Sequence, residues 1–201
     1  ITMHELRCST LFFLFIFFSY SQTIYIDADG TCKCPTAAVG DVETIGGKTY
    51  EVVDNTSIIA QVAAANYDLC TTQVTVMTEL FVSNASFNSD ISFWDMSNVT
   101  NTDRMFQGAS SFNQNIGFWN TSNFYDVSGM FDSASNFNQD IGNWNTSNVV
   151  NMSSMFNYAS SFNQDLTGWC VLNITSQPGA FAGNTSILTD ANKPVWGTCP
   201  D

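Results

Sequence analysis

Basic side chains are scarce in this chain of 201 residues: five Lys and Arg stand against 18 Asp and Glu, there is one histidine, and the formal net charge is −13. Between Met105 and Asn192 there is no Lys, Arg or His at all. Nucleic acid and anionic lipid are held through clustered positive charge, so this surface repels both and neither is expected as a partner. The one histidine, His4, lies in a segment that reads as a cleaved leader. Its removal excludes Ser–His–Asp triads, Cys–His pairs and histidine-containing zinc sites from the mature chain. Also missing is an apolar run long enough for a bilayer: the unbroken run over 11–18 falls well short of the ~20 residues needed to span one.

That short run is informative in another way. A polar start from Met3 to Arg7 precedes it, and Ser19, Tyr20 and Ser21 place small residues before Gln22, which is the layout of a secretory signal peptide over 1–21. Glu5 and Arg7 leave together, so the exported chain keeps its charge of −13, a balance that keeps an extracellular surface soluble. Cys32, Cys34, Cys70, Cys170 and Cys199 remain. In an exported chain these are disulfide partners rather than metal ligands. Cys170 is expected to pair with Cys199, and Cys70 with Cys34 or Cys32, which leaves one thiol over.

What the chain has in abundance is repetition. One 25-residue unit is written four times from Phe81 to Ala180 without slippage, marked by Phe81, Phe106, Phe131 and Phe156 and by Trp94, Trp119, Trp144 and Trp169; a decaying copy starts at Phe181. A fixed period in this range means units that lie on one another, each too small to bury its own apolar residues, with caps at the two ends. The sequence QDIGNW over 139–144 predicts a short strand with Ile141 inward. Met152, Met155, Phe156 and Ala159, at three- to four-residue spacing, predict a helical turn over 151–159. The expected fold is therefore an α/β repeat solenoid of the leucine-rich-repeat kind, with a short strand plus a helical or 3₁₀ turn in each 25-residue rung; a parallel β-helix is the alternative. The expected divisions are the signal peptide at 1–21, an N-terminal cap at 22–79, the four-repeat solenoid at 80–180 and a C-terminal cap at 181–201. Within the first cap, 44–53 predicts a hairpin around Gly46 and Gly47, 54–66 a short helix, and 71–77 a strand.

The run Phe137, Asn138, Gln139, Asp140, Ile141, Trp144, Ser147, Asn148, Val149, Met152, Met155, Phe156 and Ala159 resembles the repeat of the BspA-like leucine-rich repeat surface proteins, in particular the 25-residue group also found in mycoplasma lipoproteins. The flanks GKTYEVVD at 47–54 and ANKPVWGTCP at 191–200 are similar as well. The resemblance implies an extracellular protein used for adhesion or protein interaction, and it brings no catalytic residues.

Three columns of the repeat invite a chemical reading. Asp90, Asn115, Asp140 and Asp165 share a register, and stacked carboxylates about 5 Å apart approach the spacing of a retaining glycosidase. A column that recurs in every unit and accepts Asn is better explained by Asx hydrogen bonds to turn backbone. The Trp column reads as core rather than as a sugar platform, because it recurs strictly beside Ile. Asn98, Asn123, Asn148 and Asn173 read as a structural asparagine ladder closing hydrogen bonds between turns. Eight N-x-Ser/Thr acceptors occur, at Asn55, Asn84, Asn98, Asn120, Asn145, Asn151, Asn173 and Asn184. Asn120 and Asn145, directly after Trp119 and Trp144, and Asn84 and Asn184, at the rims, are the best candidates for N-glycosylation, with Asn55 and Asn151 behind them; the ladder positions Asn98 and Asn173 are expected to carry less sugar.

The sequence thus predicts a non-enzymatic protein, secreted or displayed at the cell surface, that works by adhesion, matrix building or fibre assembly through its faces and ends. A glycan- or protein-binding receptor module is the alternative. No cofactor or metal is implied. The expected partners are another protein or a glycan at the cell surface, or copies of the chain itself in a filament, with no nucleic acid and no direct membrane binding once the signal is removed.

Overall fold

The computed structural model describes residues 23–183 and 185–200; the expected signal peptide and the acceptor at Asn184 lie outside them. The chain opens with two short strands, β1 (Tyr25–Ile26) and β2 (Cys32–Lys33), paired antiparallel. A second sheet comes next. Its strands β3 (Val42–Ile45) and β4 (Lys48–Val52) form an antiparallel hairpin, and the two residues between them, Gly46 and Gly47, have φ of +60° and +88°. A two-residue hairpin turn of matching twist needs positive φ at both places, which glycine adopts without steric cost. β5 (Leu69–Cys70) then joins β4 in parallel.

The chain crosses from β4 to β5 by the helix α1 (Ser57–Ala63), which buries Ile58 and Val62. Asp54 Oδ1 accepts the N–H groups of Thr56 and Ser57 at 3.0 and 2.8 Å, so the free amides at the helix start are partly satisfied. Ala65, at φ +57°, ends the crossover's helical path. A disulfide between Cys34 and Cys70 fastens the end of β2 to β5.

From residue 71 onward the expected architecture is overturned. Among the described residues both sheets and the only α-helix precede this point, and the rest of the chain holds one 3₁₀ turn, Asp190–Asn192, with no ladder of strands. Neither the α/β solenoid of strand-plus-helix rungs nor the parallel β-helix is present. Residues 139–144 form turns and no strand, and 71–77 contributes only Val76 to a single isolated bridge. That bridge continues as Asn101, Asp126 and Asn151, one residue per repeat, all parallel.

The helical turn expected over 151–159 is a chain of separate turns. The N–H groups of Met155, Asn157 and Ala159 donate to the carbonyls of Met152, Ser154 and Phe156 at 3.2, 3.1 and 3.2 Å. Closure every three residues produces the same buried spacing that a helix would, which is why Met152, Met155, Phe156 and Ala159 are all buried. A helix is ruled out by the backbone: Ser154 has φ +58° and Tyr158 φ +55°, and left-handed residues cannot continue a right-handed helix.

The repeats are held against one another by three kinds of contact. Main-chain bonds run from each unit to the next, as from Phe81, Phe106 and Phe131 to the carbonyls of Met105, Met130 and Met155 at 2.9, 2.9 and 3.0 Å. The Phe rings stack with their counterparts, Phe81 on Phe106 on Phe131 on Phe156 at 5.4, 5.6 and 5.7 Å, with Phe112 on Phe137 on Phe162 beside them at 5.8 and 5.7 Å. Each buried Trp ring donates back to a carbonyl of the preceding unit: Trp119 to Ile91, Trp144 to Ile116 and Trp169 to Ile141 at 3.2, 3.0 and 3.0 Å. Burying a Trp with its N–H satisfied avoids the cost of a lone polar group inside.

Both ends of this stack are covered. Tyr67, from the turn before β5, lies edge-on over Phe87 at 5.1 Å and receives the Trp94 indole N–H on its carbonyl at 3.0 Å. At the far end Phe181 meets Phe156 edge-on at 5.4 Å and Trp196 meets Phe181 in the same way at 4.9 Å. A disulfide between Cys170 and Cys199 closes the chain back over this end.

Candidate functional site

Most of the repeating side chains are used up by the fold. The asparagine ladder lies on the exposed surface, where Asn98, Asn123, Asn148 and Asn173 donate from Nδ2 to the carbonyls of Thr72, Ser97, Ser122 and Ser147 at 2.8, 2.5, 2.7 and 2.8 Å. In the carboxylate column, Oδ1 of Asp90, Asn115, Asp140 and Asp165 accepts the N–H two residues on, at 2.9, 3.1, 2.9 and 2.9 Å. The hydroxyl and N–H of Thr167 hold Asp165 below the ordinary carboxylate range. A carboxyl that stays ionised and faces its own turn is built to fix backbone, not to deliver a proton. Among the described residues no group of three or more His, Cys, Asp or Glu could hold a metal ion.

A second ladder, absent from the sequence-based expectations, runs beside the first. Oδ1 of Asn88, Asn113 and Asn138 accepts the N–H of Asn113, Asn138 and Asn163 at 2.9, 3.0 and 3.1 Å. Gln114, Gln139 and Gln164 then donate from Nε2 to the same asparagines' carbonyls at 2.8, 2.9 and 2.9 Å. The Asn-Gln pair after the second Phe of the second, third and fourth units is its visible signal; the first unit has Asn88-Ser89 there.

The acceptors for sugar separate by what their amides do. Asn120 and Asn145 are exposed, and their Oδ1 accepts the hydroxyl of their own motif, Ser122 or Ser147, at 2.7 Å in each case. Asn55 and Asn151 engage Nδ2 instead, with Thr75 Oγ1 at 2.9 Å and Asp126 Oδ2 at 3.2 Å. Asn84 is half-buried and accepts the Ser86 hydroxyl at 3.3 Å.

The cysteines fall at the two caps. Cys32 is left as a buried free thiol, and burial together with the nearby Asp95 charge pushes it up to about 12. Asp95 is 1% exposed and pairs with Lys33 Nζ at 2.8 Å. Burial works against its charge, but hydrogen bonds from Lys33 and Ser97 outweigh that and hold the carboxyl below its ordinary value.

Among the hollows open to another molecule is a shallow groove of about 620 Å³ on the face that carries the bridges. Its floor is the column Thr100, Tyr125 and Val150 with Val76 and Asn101, and its rim is formed by Asn123, Asn148 and Asn173. Tyr125 is 57% exposed, and Val76 and Val150 are exposed beside it. None of these residues carries a charge. Main-chain bonds from Tyr125 to Thr100 and from Val150 to Tyr125, at 2.8 and 2.9 Å, fix the floor. The column changes from Thr100 to Tyr125 to Val150 across the groove, so no single recurring residue type marks it.

Two disulfides fit a protein of the cell exterior or surface, where such bonds persist. Among the described residues no helix is long and apolar enough to cross a membrane. Comparisons with curated proteins and with solved structures find no match. A family model matches twice, over residues 49–128 and 75–196, the overlap expected of a repeated unit. The chain belongs to the family described as Mycoplasma protein of unknown function, DUF285.

Proposed function

We propose that this chain is a non-enzymatic contact protein of the cell exterior, allied to the BspA-like repeat surface proteins, that adheres to its partner through the uncharged groove. The observation that carries this reading is the groove itself. Most other repeating columns are committed to packing or to backbone hydrogen bonds, whereas Tyr125 stands 57% exposed on an ordered floor and, among the described residues, stacks on no other ring. Exposed apolar residues gathered on a rigid surface mark interaction sites. The covered ends of the stack favour a face, rather than head-to-tail joining, as the working surface. The test is adhesion of beads coated with the protein to cells or extracellular matrix, compared with beads coated with Tyr125→Ala. Loss of adhesion in the variant with an unchanged Tm supports the reading; equal adhesion of both proteins sinks it.

A further inference from the structure

We propose that the groove binds an uncharged polysaccharide chain laid along the stack, with the Tyr125 ring as its stacking platform; this rests on the contact reading above and gives it a ligand class. The first argument is charge. Every residue of the groove is neutral in a chain of net charge −13. A charged polymer gains nothing from the lining, and an anionic one is repelled by the rest of the surface. The second is shape and surface chemistry. The exposed phenol ring between Val76 and Val150 makes a flat apolar strip, which suits the C–H face of a pyranose ring, while the phenol hydroxyl stays wet.

The rim supplies the polar contacts. Asn123, Asn148 and Asn173 are exposed, and each is anchored by one Nδ2–H on the preceding repeat at 2.5, 2.7 and 2.8 Å. Among the described residues nothing donates to their Oδ1, so each offers an acceptor and a second N–H to sugar hydroxyls. Side chains already held in place lose little freedom when a ligand arrives.

An extended peptide fits less well. The N–H groups of Thr100, Tyr125 and Val150 and the carbonyls of Thr100 and Tyr125 are paired between repeats, so the floor offers no free N–H for strand addition. Lying along the stack, a peptide repeats every ~6.6 Å, whereas equivalent rings of successive units recur at 5.4 to 5.8 Å. It loses register with the rim amides within a few units. One residue of an extended pyranose chain is shorter and keeps closer step.

The test is affinity gel electrophoresis of the purified protein through gels containing cellulose-derived, chitin-derived, β-1,3-glucan or mannan polymers, with alginate and heparin as charged controls. At least one neutral polymer should retard the protein and neither charged polymer should. Tyr125→Ala should weaken the retardation about tenfold, the worth of one aromatic stacking contact, while Tyr125→Phe retains it. If no neutral polymer retards the wild type, if only the charged ones do, or if Tyr125→Ala migrates like wild type, the saccharide assignment is overturned. The bead assay separates the two levels. Adhesion that needs Tyr125 but is untouched by neutral polysaccharide overturns the ligand class and leaves the contact reading standing. Adhesion indifferent to Tyr125 overturns both.

Discussion

Phe112 and Phe118 are the same residue type six positions apart, and their environments assign them opposite weight. Phe112 is fully buried, 4.0 Å from the Phe106 ring and stacked between Phe87 and Phe137 at 5.6 and 5.8 Å. Phe118 is 84% exposed. Phe112→Ala removes a ring from a stack that cannot collapse without pulling three others with it, so it should cost about 3–5 kcal/mol. Phe118→Asn should change stability by no more than ~0.5 kcal/mol, since Asn143 already occupies the equivalent place one repeat on. Urea denaturation of the two variants checks the contrast; a comparable loss in both would mean that the repeat columns do not carry the energy. The difference is written in the sequence itself. The Phe112 column is Phe in all four units, while the Phe118 column reads Phe, Phe, Asn, Gly.

At the scale of the element, each repeat is shaped by two left-handed residues set four apart. Arg104, Gly129 and Ser154 hold φ of +52°, +58° and +58°, and Ser83, Gly108, Ser133 and Tyr158 hold +60°, +72°, +61° and +55°. Side chains other than glycine pay a steric cost of about 1–2 kcal/mol in this region. The Ser154 main-chain N–H donates to the Gly179 carbonyl at 2.9 Å, and that bond does not need the side chain. Ser154→Gly should therefore raise stability by about 1 kcal/mol, and Ser154→Pro, which fixes φ near −65° and removes that N–H, should prevent folding. Thermal unfolding of the glycine variant decides it, a lowered Tm counting against the strained turn. These columns also explain what the sequence could and could not tell. The period, the Phe and Trp positions and the hairpin at Gly46 and Gly47 are legible because one residue type recurs or a turn demands glycine. The turns are not legible, since Ser, Arg and Tyr stand where Gly108 and Gly129 give the only trace of positive φ, and buried residues closed every three positions imitate a helix. The groove is hidden for the converse reason: its column holds Thr at 75, 100 and 175 but changes to Tyr125 and Val150 where the groove is apolar, so no recurring residue type marks it.

For the molecule as a whole, the junction between the N-terminal sheets and the first repeat sets how the fold answers to pH. Among the hydrogen bonds that cross it are those from Cys32 N–H to the Phe93 carbonyl at 2.8 Å, from the Thr71 hydroxyl to the Asp95 carbonyl at 3.0 Å and from the Trp94 ring to Tyr67 at 3.0 Å. Lys33 and Asp95 add an ion pair at 2.8 Å, with Asp95 1% exposed and its Oδ2 without a hydrogen-bond partner among the described residues. Burial opposes the charge on Asp95, yet the Lys33 and Ser97 bonds hold its carboxyl below the ordinary value. A carboxyl depressed in the folded state contributes stability that is present above its unfolded value of about 3.9 and is lost as pH falls through the lower folded value. Lys33→Met leaves that carboxylate buried without its cation, which should cost about 3–5 kcal/mol at pH 7. With the lysine gone, burial governs Asp95 and the carboxyl becomes easier to protonate, which relieves the penalty. The deficit of Lys33→Met against wild type should therefore be largest at neutral pH and should narrow as the pH is taken down to about 4 and below, where wild type itself begins to lose the pair. Urea titrations of both proteins across that range measure the difference directly. A deficit that stays constant with pH would show that Lys33 acts through packing of its stem and not through the charge on Asp95.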